Sequence, residues 1–269
     1  MIKIFSKIAE FFGAGKQGDT SAIILCAGAS TRFSNDGESK QMAYVNGIPV
    51  VERTIRAFDE CNSICEIIVV VPKDEAEGYK DFVYEKGFKK VKCIVTGGET
   101  RQISALRGFK HVDEKADYVA IHDGARCLIT EEQIELVISE AKAYGIASAG
   151  CKNTDTIKLV DDNGFVKETL DRDYIWNIQT PQIFEYKKYQ ISAYKAVQDD
   201  FSATDDSMLA EHAGFRVKLV NIGPDNIKIT VKDDIFRAEA ILFQRGEEKI
   251  WELVTDTMFT DSLMASILF

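Results

Sequence analysis

Histidine is scarce in this 269-residue chain. There are three, and no two of the six cysteines form a C-x-x-C pair. A structural zinc site draws on those residue types at short spacing and is not expected. Cys26 and Cys93 lie in apolar, strand-like runs and read as core residues. Free buried thiols fit a reducing cytosol, so a cytoplasmic location is expected. No apolar run reaches the roughly 18 residues of a membrane span, and no stable membrane insertion is expected. The first apolar stretch is short, is broken by Lys3, Lys7 and Glu10, and is followed by no A-x-A site, so no signal peptide is expected. Positive charge is also in deficit, with 33 Lys and Arg against 43 Asp and Glu and a formal net charge of -10. That balance excludes a general nucleic-acid-binding face, and any anionic ligand must sit in a local basic pocket. The Walker pattern is absent. So is the G-x-G-x-x-G fingerprint, because Ser30 stands where its second glycine would be.

What is present begins with Ser21 to Lys40. An apolar run, Ala22 to Leu25, is the size of a buried strand. The small residues Ala27, Gly28, Ala29 and Ser30 follow, and two cations, Arg32 and Lys40, come after them. A strand, a loop whose amides a ligand can approach and two positive side chains together suit a polyphosphate. A plain strand-to-helix turn with solvated cations is the alternative.

Hydrophobic residues make up 45% of the chain, enough for one large α/β domain or two small ones. Residues 1–20 read as an appendage, with Ile4, Ile8, Phe11 and Phe12 at helical spacing. From residue 21 strand-like and helix-like segments alternate. Strands are expected at 66–72, 91–98 and 146–151, with 118–126 a strand entering a loop, and helices at 50–58, 74–86, 99–109 and 131–144. Glu99 is placed in the first turn of its helix, and Thr130 and Gly145 bracket the last one. The alternation implies a doubly wound, mostly parallel sheet of Rossmann-like α/β class, with ligands outside the carboxyl ends of the strands. Cys26-Ala27-Gly28, Thr96-Gly97-Gly98, His122-Asp123-Gly124 and Ser148-Ala149-Gly150 are expected to end strands on one rim. Asp162-Asn163-Gly164 then marks a β-hairpin inserted at about 152–175, an arm with little core of its own. A helix follows at about 185–198, Thr204 reads as the N-cap of the next, and a strand (216–223) and a helix (231–244) close the domain near 245. Residues 246–269 read as a second appendage, with Trp251, Val254, Met258 and Phe259 on an apolar face, and no second enzymatic domain is expected there.

Asp123, at a strand end beside Gly124, can hold Mg2+ together with phosphate oxygens, or can cap the following turn. Arg126, Arg172 and Lys228 are further cations near the expected site loops. With Arg32 and Lys40 they form a set suited to two phosphate-bearing ligands.

CAGASTRF with Lys40-Gln41, then TGGETRQIS, HDGAR, DTIK, TLDRDYIWNIQTPQIF, TDDSM and DNIKIT occur in one order over residues 21–245. In this the chain resembles the bacterial and plastid 2-C-methyl-D-erythritol 4-phosphate cytidylyltransferases of the non-mevalonate isoprenoid pathway. The resemblance implies cytidylyl transfer from CTP to a polyol phosphate with release of pyrophosphate, and Mg2+ as cofactor. It implies that Arg32 and Lys40 stabilise the transition state and that Arg172 and Lys228 position the substrate phosphate. By the same match Ala27 to Ser30 lie along the triphosphate, and Gly98, Glu99 and Ser104 lie around cytosine and ribose. Asp123, with Gly124 and Ala125, stands at the metal and nucleotide, and Arg126, Thr156, Thr180 and Thr204 surround the second substrate. The hairpin would embrace a second subunit in a homodimer, so that Thr156 and Arg172 act across the interface. Four residues depart from the family pattern: Ser30 for Gly, Gly124 for Ala, Cys127 for Pro and Cys26 for Ala. A ribitol-5-phosphate cytidylyltransferase is the close alternative, disfavoured by the TLDR…W segment. A catalytically idle nucleotide-binding protein is the alternative of another class, disfavoured by the full set of cations.

Overall fold

The computed structural model describes residues 18–28, 33 and 39–247. Ala29, Ser30, Arg32, the helical pattern near the N-terminus and the apolar face from Trp251 onward lie outside the described residues. In chain order the strands are β1 (Thr20–Leu25), β2 (Tyr44–Val45), β3 (Ile48–Pro49), β4 (Ile64–Val71), β5 (Val91–Thr96), β6 (Tyr118–Asp123), β7 (Ile146–Lys152), β8 (Lys158–Val160), β9 (Val166–Thr169), β10 (Trp176–Glu185) and β11 (Lys218–Asn221). The α-helices are α1 (Val50–Glu60), α2 (Ala76–Lys86), α3 (Arg101–Phe109), α4 (Glu131–Tyr144), α5 (Tyr186–Gln198), α6 (Asp206–His212) and α7 (Asp233–Gln244).

Every residue of β1 is buried. A strand apolar on both faces belongs inside a sheet covered by helices on both sides, and β1 pairs in parallel with β4 and with β6. The seven-stranded sheet runs β11-β7-β10-β6-β1-β4-β5. Ala22, Ile24 and Cys26 face one core, with α1 and α4, while Ile23 and Leu25 face a second, with α3 and α5. In α3, Gly108 lets the helix settle onto the sheet, since a Cβ there would meet the Ile23 Cγ2 at 2.6 Å. A third cluster, including Phe33, Val45, Ala125, Leu128, Ile229 and Leu242, backs the loop that follows β6.

Local chemistry sets most boundaries. Thr130 and Gln133 form a reciprocal capping box on α4, and Gly145 ends it at φ +85°. In the arm, β8 and β9 pair antiparallel around a turn in which the Asp161 Oδ1 accepts from the Asn163 and Phe165 N–H groups, and Gly164 takes φ +83°.

Four expectations are corrected. Glu99 lies outside α3, because Thr100 is the cap, accepting from the Ile103 N–H at 3.1 Å. Thr204 is not the cap of α6. Asp205 is, accepting from the Met208 N–H at 2.9 Å while Gln182 Nε2 and Ser207 Oγ hold its other oxygen. Ser148-Ala149-Gly150 lies inside β7, which continues to Lys152 because β10 pairs with it that far, Trp176 lying opposite Lys152. Cys93 is only half-buried, since β5 is an edge strand. The expected mostly parallel sheet is present, with β10 running antiparallel between β6 and β7. Pro181, which has no N–H to donate, falls in the register irregularity between Ile178 and Gln182.

Candidate active site

The carboxyl ends of β5, β4, β1 and β6 share one rim, because these strands are mutually parallel. Beyond β1 the chain passes through Cys26, Ala27 and Gly28, and Gln41 steadies this turn by donating to the Cys26 carbonyl at 2.9 Å. Lys40, beside it, is 7% exposed. The loop after β5 packs directly on this turn, and a Cβ at Gly97 would run into the Ala27 Cβ. The Gly98 N–H donates to Ser104 Oγ at 3.0 Å, whose hydroxyl donates to the Thr100 carbonyl at 2.9 Å. Gly98 and Ser104 thus form one unit against Ala27, and Glu99 beside them is exposed.

Asp123, the last residue of β6, is the centre of a second group. Arg101 Nε donates to its Oδ1 at 3.0 Å, Lys228 Nζ donates to Oδ2 at 2.7 Å, and Arg126 Nε stands 3.9 Å from Oδ2. Burial alone would push the Asp123 carboxyl up; the Arg101 guanidinium and the Lys228 ammonium outweigh it and hold the group well below the usual carboxylate range. Arg101 also reaches Asp206, which is fully buried, so three cations face two carboxylates and leave a surplus of one positive charge.

The backbone around Asp123 is held from below. Its N–H donates to Thr180 Oγ1 at 3.0 Å, and that hydroxyl lies 3.1 Å from His122 Nδ1. His122 Nε2 lies 3.1 Å from the Arg126 carbonyl, which can only accept, so Nε2 carries the proton and Nδ1 takes the one from Thr180. Burial pushes the His122 pKa down to about 4, so the ring is neutral and the chain of bonds is complete. Lys228 arrives on a segment tied to this loop by the Ile229 N–H on the Ala125 carbonyl (2.8 Å) and by Arg126 Nη1 on the Asn226 carbonyl (2.8 Å). Gly124, between them, donates to the Leu25 carbonyl at 2.9 Å.

The fold thus assembles Ala27 with Gly98 and Ser104, and Asp123 with Arg126, Thr180 and Lys228. Thr156, Arg172 and Thr204 are exposed, and Arg172 Nη1 donates within the arm to the Thr154 carbonyl at 3.4 Å. Among the described residues no group of three or more His, Cys, Asp or Glu could hold a metal. Asp123 supplies one carboxylate whose oxygens each keep a lone pair, which fits a Mg2+ completed by phosphate oxygens and water but not a cage built by protein alone.

A sequence profile described as IspD, 2-C-methyl-D-erythritol 4-phosphate cytidylyltransferase, matches residues 20–244. The chain belongs to the IspD family. A protein of that name from Caldanaerobacter subterraneus subsp. tengcongensis is 44% identical over 225 residues, 83% of this chain and 99% of that protein. One from Alkaliphilus oremlandii is 43% identical over 230 residues, 85% of this chain and 97% of that protein. The crystal structure of 4-diphosphocytidyl-2C-methyl-D-erythritol synthase from Anaerococcus prevotii superposes with a TM-score of 0.75 at 34% identity, covering 85% of this chain and 100% of that one.

Cys26 and Gly124, two of the residues noted against the family pattern, are coupled in space: a Cβ at Gly124 would run into Cys26 Sγ. Cys127 packs, buried, in the cluster behind the loop. Three residues that shape the site were not singled out from the sequence: Gln41, Arg101 and Asp206. All three lie inside the motifs that carry the resemblance. Arg101, the first residue of a helix that starts at the rim, carried the most readable signal.

Proposed function

We propose that this chain transfers the cytidylyl group of CTP to the phosphate of 2-C-methyl-D-erythritol 4-phosphate. An oxygen of the polyol phosphate forms a bond to the α-phosphorus, the bond from that phosphorus to the β-phosphate oxygen breaks, and pyrophosphate leaves with the electron pair. The reaction creates no new net charge but crowds negative oxygens around one phosphorus, so the protein's contribution is positioning and charge stabilisation. The observation that carries this reading is the surplus of positive charge gathered on Asp123 at the rim of a chain whose net charge is -10.

Arg32 and Lys40 serve the triphosphate, along which Ala27 to Ser30 lie. Gly98, Glu99 and Ser104 surround cytosine and ribose. Lys228, Arg126 and Thr204 hold the polyol phosphate, Thr180 fixes the Asp123 backbone beneath it, and Thr156 and Arg172 are supplied by the arm of a second copy. Mg2+ bound through Asp123 and the nucleotide's own oxygens supplies charge neutralisation on the triphosphate. The homodimer is supported by the arm itself. Leu159, Val160, Phe165 and Val166 are 50%, 48%, 72% and 58% exposed, and an isolated strand pair has no core to hold it. A cytoplasmic location is supported by the six free thiols. No helix of the described residues is long and apolar enough to cross a membrane.

Phosphorus NMR of CTP, Mg2+ and methylerythritol 4-phosphate with the protein tests the reaction. The expected result is loss of the triphosphate signals and growth of pyrophosphate and of a diphosphate diester. Unchanged CTP would overturn the reading.

A further inference from the structure

We propose that Arg101 is a positioning residue of this transfer, and that it acts through Asp123 on Lys228. The inference rests on the cytidylyl-transfer reading for its kinetic consequence but not for its geometry. Arg101 opens α3 and spans two carboxylates from different parts of the chain. Its Nε donates to Asp123 Oδ1 at 3.0 Å and its Nη1 donates to Asp206 Oδ2. Asp206 is a firm anchor. It is fully buried, it is the first residue of α6, and its other oxygen accepts from the Tyr189 hydroxyl at 3.2 Å. A guanidinium is a rigid planar fork, so once Nη1 is fixed on Asp206 the direction of Nε is fixed as well. The two oxygens of Asp123 turn together about one bond, so holding Oδ1 also places Oδ2. That second oxygen accepts from Lys228 Nζ at 2.7 Å. An ammonium on a flexible four-carbon stem takes its position from its acceptor. The order is therefore Tyr189, Asp206, Arg101, Asp123, Lys228, with each partner fixing the next.

The charge count shows what else is lost with Arg101. Without Arg101 the surplus of one positive charge at the rim becomes zero, and among the described residues Asp206 is left buried against the Tyr189 hydroxyl. Loss of Arg101 therefore has a structural cost, from the stranded Asp206, and a positioning cost, from the freed Asp123. Replacing Asp206 as well removes the first cost and not the second.

The test compares Arg101→Gln, Asp206→Asn and the double variant with the unsubstituted protein, by thermal unfolding and by pyrophosphate release. Arg101→Gln is expected to lower both the unfolding midpoint and kcat. The double variant is expected to regain most of the midpoint while kcat stays at least about tenfold down. Recovery of midpoint and kcat together would reduce Arg101 to a structural ion-pair partner and overturn the proposal. A second readout needs no turnover. In protein whose lysines are reductively methylated with carbon-13, the Lys228 signal, assigned through Lys228→Arg, is expected to move toward those of the exposed lysines in the double variant. An unmoved signal would overturn the proposal. If the unsubstituted protein releases no pyrophosphate, the cytidylyl-transfer reading fails, and the carbon-13 signal still decides the role of Arg101.

Discussion

Cys26 and Gly124 face each other where β1 meets the loop after β6, and neither position can be changed independently of the other. Gly124→Ala drives a methyl into Cys26 Sγ, and overpacking of this kind costs about 1–3 kcal/mol. Chemical denaturation should show that loss for the single variant and its recovery when Cys26→Ala is added. A single variant as stable as the unsubstituted protein would contradict the pairing. Thr180 gives a second residue-scale prediction. Its hydroxyl accepts from the Asp123 N–H and donates to His122 Nδ1. Thr180→Val keeps the shape and strands two buried partners, which costs about 1–3 kcal/mol of stability. Reading these roles from sequence has a limit set by distance along the chain. Asp123 stood out by its place at a strand end, but its partner Arg101 is tied to a carboxylate 105 residues away, and no local pattern encodes that bond.

Elements whose ends are written in their own residues were legible. Thr130 and Gly145 bracket α4 as expected, and Gly87, at φ +65°, ends α2. The start of α6 was misplaced by one residue because Thr204 and Asp205 are both competent caps, and the choice falls to Gln182 and Ser207, which grip Asp205. The direction of β10 was not legible at all. Its residues suit a strand of either sense, and only its neighbours β6 and β7 make it antiparallel. The arm, with its exposed apolar residues, is the element on which the proposed dimer rests. Charge placed on its apolar side, as in the pair Phe165→Asp and Val166→Lys, is expected to shift the mass measured by light scattering from dimer toward monomer. It is expected to lower turnover as well, since Thr156 and Arg172 would lose the neighbouring site. A dimer of unchanged mass would place the interface elsewhere.

At the scale of the whole molecule a cationic cluster sits on the rim of an acidic chain. A net charge of -10 was visible as a count, and it excluded a basic nucleic-acid face without revealing where the local surplus sits. The sheet order puts it there, by bringing the ends of β1 and β6 together and laying the segment that carries Lys228 across them. Specificity for the polyol is a property of that whole arrangement, and its test is a substrate comparison. The measurement is kcat/KM from pyrophosphate release with CTP and Mg2+, run in parallel on 2-C-methyl-D-erythritol 4-phosphate and ribitol 5-phosphate. The account predicts saturable release with the first and background release with the second. Release with ribitol 5-phosphate alone, or with neither, would contradict it.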